Sequence, residues 1–256
     1  GSHGKTTTSS LIAHILVRAG RQPMYLLGGE SPDLGGHAAW GEGDICIVEA
    51  DEYKRAFHEY TPEVALITNV EPDHLDYYGT PEAYHEAFIE FGRRIRPGGL
   101  LLACADDPGA RHVSDLLGDA PIRHETYGAE GVRFWLARDI VLSATGCEFT
   151  LLRGGTELGS IHATVPGVHF VRNAVAAAAV ALHFDVPFET VRDAISSFRG
   201  ARRRFETVGE AGGVLVMDDY AHHPTEVRAT IAAARSAFPG RRLIGIYQPH
   251  TYSRIA

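Results

Sequence analysis

A lysine and a threonine follow a glycine at Gly4-Lys5-Thr6, and an apolar-periodic segment carrying Leu11, Ile12, Ile15 and Leu16 comes directly after them. This is the second half of the pattern G-x-x-x-x-G-K-[ST], a phosphate-binding loop running into its helix. Backbone N–H groups at a helix start favour an anion. A lysine there reaches the β- and γ-phosphates of a nucleotide, and a threonine hydroxyl reaches Mg²⁺. The tripeptide alone is a modest signal, and Gly1-Ser2-His3 is also what tag cleavage leaves behind. On the loop reading Gly4 is the second glycine, the first glycine and its strand lie upstream, and the chain is a piece of a longer protein.

Carboxylates and histidines gather where apolar runs end. Asp44-Ile45-Cys46-Ile47-Val48-Glu49 reads as a buried strand ending in a carboxylate, followed by Ala50-Asp51-Glu52. Ligands of open parallel sheets bind at such strand ends, and a carboxylate beside a phosphate loop can hold Mg²⁺; a solvated acidic turn is the plainer alternative. The run Val64–Asn69 leads into Glu71-Pro72-Asp73-His74, a second place for a cation ligand, although a lone histidine is more often a satisfied polar residue. A third cluster is Asp218-Asp219-Tyr220-Ala221-His222-His223-Pro224. Adjacent histidines diverge, so they do not suit one zinc ion; polar groups before a helix suit a nucleotide or substrate. Gln248-Pro249-His250 follows the next apolar run. Arg202, Arg203 and Arg204 are either a solvated joint or bidentate phosphate clamps.

The elements that must position these residues read as α/β. A helix over 5–19, strands at 24–27, 44–49, 64–69 and 100–103 and a helix over 81–95 capped by Thr80-Pro81 predict a parallel sheet with helices on both faces. Short strands over 122–165 predict a small β-rich addition. Asn173 is expected to open an Ala-rich helix to His183, with another helix over 188–198. After Arg203 the βαβ pattern restarts, with strands at 214–217 and 243–247 around a helix over 224–237, as the start of a Rossmann-like domain. We therefore divide the chain into 1–202 and 203–256, the second unit too short to bury its own core.

Composition bounds the partners. The 256 residues carry 24 basic and 32 acidic side chains, a formal charge of −8, which gives no global footprint for nucleic acid. No apolar run is long enough to span a membrane. Cys46, Cys104 and Cys147 are too scattered for a disulfide framework or a zinc site and read as thiols in a reducing cytoplasm.

The segments G-S-H-G-K-T-T-T, V-E-A-D-E-Y, I-T-N-V-E-P-D-H-L-D-Y-Y-G, F-R-G-A-R-R-R-F, D-D-Y-A-H-H-P-T-E and Q-P-H-T-Y-S-R occur here in one order. Together they resemble the Mur ligases of peptidoglycan synthesis over essentially the whole chain, and the last two point to the alanine-adding branch. The resemblance implies a central ATP-binding domain, truncated at its start, followed by an incomplete C-terminal domain. It implies ATP and Mg²⁺, a cytoplasmic enzyme, and amide formation between UDP-N-acetylmuramate and L-alanine through an acyl phosphate. By family position Gly4, Lys5, Thr6 and Thr7 hold the phosphates, and Lys5, Glu49 and His74 are catalytic. Thr6, Glu49 and His74 hold metal, Asn173, Arg203 and Asp219 approach the nucleotide, and Tyr220, His223 and His250 lie on the amino-acid side. The alternatives are a tripeptide-adding recycling ligase of the same family, a folylpolyglutamate synthase relative, and a nucleotide-binding fragment without activity of its own.

Three positions depart from the family pattern. Phe170 stands where an asparagine is usual near the adenine, which leaves a stacking ring as the substitute. Lys54 replaces a common aspartate. Phe88 stands where several members carry a carbamylated lysine; with Tyr84 and Phe91 it forms one aromatic face, expected in the core.

Overall fold

The computed structural model describes residues 1–248. It contains, in chain order, α1 (Lys5–Arg18), β1 (Met24–Ser31), β2 (Gly36–Ala39), β3 (Cys46–Val48), a 3₁₀ turn (Tyr53–Glu59), β4 (Val64–Ile67), α2 (Leu75–Tyr78), α3 (Pro81–Gly92), β5 (Leu100–Cys104), α4 (Pro108–Leu116), β6 (Arg123–Gly128), β7 (Trp135–Ser143), β8 (Gly146–Arg153), β9 (Thr156–Ala163), α5 (Val168–His183), α6 (Phe188–Ser197), β10 (Glu206–Ala211), β11 (Val214–Asp218) and α7 (Pro224–Ala237).

The main sheet runs in the order β4-β5-β6-β7-β8-β9, parallel from β4 to β7 and antiparallel from β7 to β9. The expected β-rich addition is therefore a continuation of the main sheet. A smaller sheet, β2-β1-β3, pairs β1 parallel with β3 and antiparallel with β2. A cleft of about 570 Å³ separates β3 from β4, lined by both strands, by α1 and by Phe57, Phe88 and Phe91.

Helix α1 is buried from Thr8 to Leu16 despite its Thr and Ser content. Its hydroxyls are satisfied one turn back: Thr8 Oγ1 donates to the Gly4 carbonyl and Ser9 Oγ to that of Lys5, each at 2.8 Å. The small side chains of α5, buried from Ala174 to Ala181, let α1 lie close against it. Thr80 caps α3 by accepting from the Ala83 N–H, and Pro81 fills the first turn as expected. Tyr84 and Phe88 are completely enclosed and Phe91 nearly so.

Several expectations need correction. Helix α3 ends at Gly92 rather than at 95. Asn173 does not open its helix, which starts five residues earlier at Val168, after Gly167 in a left-handed conformation. Phe170 is fully buried and stacks on Phe198 with centroids 6.2 Å apart, so its ring is not available to a base. After Arg203 the chain forms an antiparallel hairpin, β10–β11, in place of a parallel restart. The run 243–247 forms no strand; it pairs with no strand among the described residues, Ile246 is 97% exposed, and Tyr247 reaches the His222 carbonyl through its hydroxyl at 3.0 Å. His250 lies outside the described residues.

No helix among the described residues is long and apolar enough to cross a membrane. The three cysteines are free, Cys104 and Cys147 buried and Cys46 exposed.

Candidate nucleotide-binding site

Gly4 ends the loop before α1 with φ 77°, a conformation that L side chains resist. A Cβ there would also press on the side chain of Asn173, whose Oδ1 would stand 3.0 Å away. Asn173 thus supports the loop from the second turn of α5. The loop and the first turn of α1 open onto a cleft of about 760 Å³. Gly4, Lys5, Thr6, Glu49, His74, Arg203 and Tyr220 all line it, so seven of the residues singled out from sequence converge there.

Thr6 and Glu49 meet directly. Thr6 Oγ1 donates to Glu49 Oε1 at 3.0 Å, while Glu49 Oε2 accepts from the Gly28 N–H at 2.6 Å and from Ser9 Oγ at 3.3 Å. A Cβ at residue 28 would collide with that carboxylate, so strand β1 passes it only because Gly28 has none. A hydroxyl and a carboxylate at the mouth of a phosphate loop are hard oxygen donors, the set that Mg²⁺ prefers. His74 caps α2 in a left-handed conformation, φ 54°, with its ring 4.8 Å from that of Tyr53 and Nε2 3.8 Å from Asp73. Positive φ at a non-glycine residue is strained, and such strain gathers at functional sites.

Glu52 was not singled out from sequence. It is 2% exposed and accepts from Lys5 Nζ with both oxygens at 2.9 Å. Lys5 Nζ also donates to the Gly1 carbonyl at 2.7 Å. Burial would raise the Glu52 carboxyl, but the Lys5 ammonium, the Gly1 amino terminus and the hydrogen bonds it accepts together outweigh burial and hold it below the usual carboxylate range. The Tyr78 hydroxyl donates to the Glu52 carbonyl and fixes the backbone. The available signal was a third carboxylate, after Glu49 and Asp51, on the same strand end.

The far wall comes from the segment after α6. Arg203 lies 3.1 Å from Asp218, and Arg203 and Arg204 lie over the Tyr220 ring, 4.9 and 5.5 Å from its centroid. Arg202 pairs with Glu206 at 3.1 Å. Arg203 and Phe205 both carry positive φ, 58° and 54°, marking the joint as strained. Asp219 does not line the cleft; it accepts from the Phe205 and Ala221 N–H groups at 2.8 and 2.7 Å and shapes the turn. Thr7 is half-buried in the first turn of α1 and also lies off the cleft wall. His223 caps α7, accepting from the Thr225 N–H, with Glu226 returning to its backbone in a capping box. Its ring stacks near His3, centroids 4.6 Å apart. Burial lowers the His3 imidazole, but the carboxylates of Glu226 and Glu71 outweigh it and raise it above the ordinary value.

Comparison with known proteins places this geometry. The profile of the Mur ligase middle domain matches residues 1–181, and that of the Mur ligase glutamate ligase domain matches residues 203–255. The UDP-N-acetylmuramate–L-alanine ligase of Sorangium cellulosum is 45% identical over 99% of this chain and 54% of its own length. That of Kineococcus radiotolerans is 47% identical, again over 99% and 54%. The crystal structure of the UDP-N-acetylmuramate–alanine ligase of Thermotoga maritima superposes with a TM-score of 0.79 at 30% identity, covering 93% of this chain and 53% of that one. The chain spans about half the length of the curated relatives it matches. With a middle-domain match over most of its residues and the loop, strand ends and joint arranged around one cleft, the chain belongs to the Mur ligase family.

Proposed function

We propose that this chain supplies the nucleotide-binding part, residues 1–202, and the beginning of the amino-acid part, residues 203–256, of a cytoplasmic ATP-dependent ligase. In the complete protein that enzyme joins L-alanine to UDP-N-acetylmuramate for peptidoglycan synthesis. The observation that carries this reading is the convergence of Lys5, Thr6, Glu49, His74 and Arg203 on one cleft at the phosphate loop.

The lactyl carboxylate takes the γ-phosphoryl group of ATP, giving an acyl phosphate and ADP, and the alanine amine then attacks the acyl carbon, forms the amide and expels phosphate. The loop N–H groups from Gly4 to Thr7 and the Lys5 ammonium bind and orient the phosphates. Thr6 and Glu49 offer hard oxygen donors for Mg²⁺, and His74 a nitrogen donor for a second ion. Two cations and a lysine offset the charge of a carboxylate meeting a triphosphate. Asn173 acts through Gly4, holding the loop. Asp219 acts through the turn that presents Arg203 and Tyr220. Tyr220, His223 and His250 are assigned to the amino-acid side. The relatives named as alanine ligases favour alanine over the ready-made tripeptide.

The test is phosphate release by the full-length parent protein with ATP, UDP-N-acetylmuramate and a panel of amines. Release that requires L-alanine is expected. Release only with the tripeptide would move the protein to the recycling branch, and none with any amine would leave a binding module.

A further inference from the structure

A second group of ligating side chains stands beside the nucleotide cleft and has no part in the reading above as a set. His3 precedes the loop glycine, Glu71 follows β4, and His223 caps α7. His3 Nε2 lies 2.9 Å from Glu71 Oε2, and His223 Nδ1 lies 3.3 Å from the same oxygen. One ligand atom from each of the three falls within 4.8 Å of the others. Donors around a tetrahedral ion at bond lengths of about 2.0–2.2 Å sit about 3.3–3.6 Å apart; the two contacts to Glu71, 2.9 and 3.3 Å, are near that spacing, and small side-chain shifts would bring the three donors onto one ion.

The surroundings are those of a metal-binding histidine. Nδ1 of His3 is fully buried, makes no hydrogen bond and faces Glu226 Oε1 at 3.6 Å. Glu226 is held in place by the N–H groups of His222 and His223 at 3.0 and 3.2 Å. Nε2 is hydrogen-bonded to Glu71 Oε2 at 2.9 Å, so a metal would take the place of the proton between them, and a shift of Glu226 onto Nδ1 would then orient the ring and raise its basicity. His222 turns away, its Nδ1 2.8 Å from the Tyr220 carbonyl, so the neighbouring histidines diverge and only His223 joins the group. Ligation by His223 would replace only a long contact, 3.4 Å, from the Thr225 N–H.

Two imidazoles and one carboxylate favour Zn²⁺ and its neighbours Co²⁺ and Ni²⁺ over Mg²⁺, which seeks oxygen. We propose that His3, Glu71 and His223 form a Zn²⁺-class site, separate from the nucleotide metals, that ties the phosphate loop to the cap of α7.

The probe is Zn²⁺ alone, titrated calorimetrically into metal-stripped, nucleotide-free protein carrying Cys46→Ser to remove the exposed thiol. One saturable equivalent is expected. Glu226→Gln should weaken it about 10–100-fold, and His3→Ala and His223→Ala should abolish it. Co²⁺ should give the absorption of a nitrogen–oxygen site without thiolate bands. Absence of a saturable equivalent in the parent protein overturns the proposal, as does unchanged affinity in folded histidine variants. Should those variants fail to fold, histidine ring resonances of the parent decide: shifts at His3 and His223 on adding Zn²⁺ support the site, and shifts confined to other histidines overturn it.

Discussion

The ammonium of Lys5 is shared equally between the two carboxylate oxygens of Glu52, each 2.9 Å away, at a carboxylate that is 2% exposed. The lysine at the start of α1 is thus already paired with an internal anion. A buried charge left without its partner is costly.

Glu52→Gln should therefore lower stability at neutral pH by about 1–3 kcal/mol, measured by urea unfolding. The acid side carries the sign. A carboxyl whose folded value lies below its unfolded value, here near 4.5, contributes stability that is fully present above that value. The contribution drains as pH falls through the folded value. The parent should lose stability more steeply than the variant below about pH 4.5; equal slopes would show that Glu52 contributes nothing through its charge.

Gly4→Ala should destabilise by about 1–2 kcal/mol, because φ 77° is disfavoured for an L residue, and Asn173 must also give way. The same change should weaken ADP binding, since the loop N–H groups turn with the backbone. A normal melting point with normal ADP affinity would contradict both the loop conformation and its role.

Glu49→Gln and His74→Ala in the full-length parent should each raise the Mg²⁺ concentration needed for half-maximal activity. Lining one cleft, they have a common target. An unchanged magnesium titration in both would reduce them to structural polar residues.

Phe170 separates packing from base recognition. Fully enclosed against Phe198, it should cost about 3–5 kcal/mol on replacement by Ala. Phe170→Leu, which keeps more of the packing, should leave ADP affinity unchanged in calorimetry. A selective loss of affinity in a stable Phe170→Leu protein would restore the stacking role.

Phe88 is 1% exposed between Phe57 and Tyr84. A lysine there would carry an ammonium into the core, so Phe88→Lys should lower the melting point sharply. Bicarbonate should not rescue it, and the parent's activity should be insensitive to CO₂ removal. Bicarbonate-dependent activity of the parent would place a carbamylated lysine elsewhere.

What could be read from residues alone was largely what a local pattern defines. Gly4-Lys5-Thr6 announced a helix start, Thr80-Pro81 announced another, and the apolar run into Glu49 announced a strand end. What escaped depends on partners distant in sequence. Glu52 became significant only because folding lays Lys5 across it. The hairpin was missed because β10, Glu206–Ala211, carries only one large apolar residue, Val208; the two-glycine turn Gly212-Gly213 was its one local mark. The apolar run at 243–247 misled for the opposite reason, since apolar character says nothing about whether a neighbouring strand exists to pair with it.

The hairpin β10–β11 divides the molecule into two thermodynamic levels. Among the described residues its two strands pair only with each other, and Val208, Val214 and Val216 face solvent at 65%, 61% and 52% exposure. Two strands without a covered face are marginal by themselves, whereas the six-stranded sheet is sealed by α5 and its buried alanines. Amide protons of β10 and β11 are therefore expected to exchange through a local opening of low free energy, and those of β5 only when the whole sheet comes apart. The wall of the cleft that carries Arg203 and Tyr220 thus rests beside an element that can open without disturbing the six-stranded sheet.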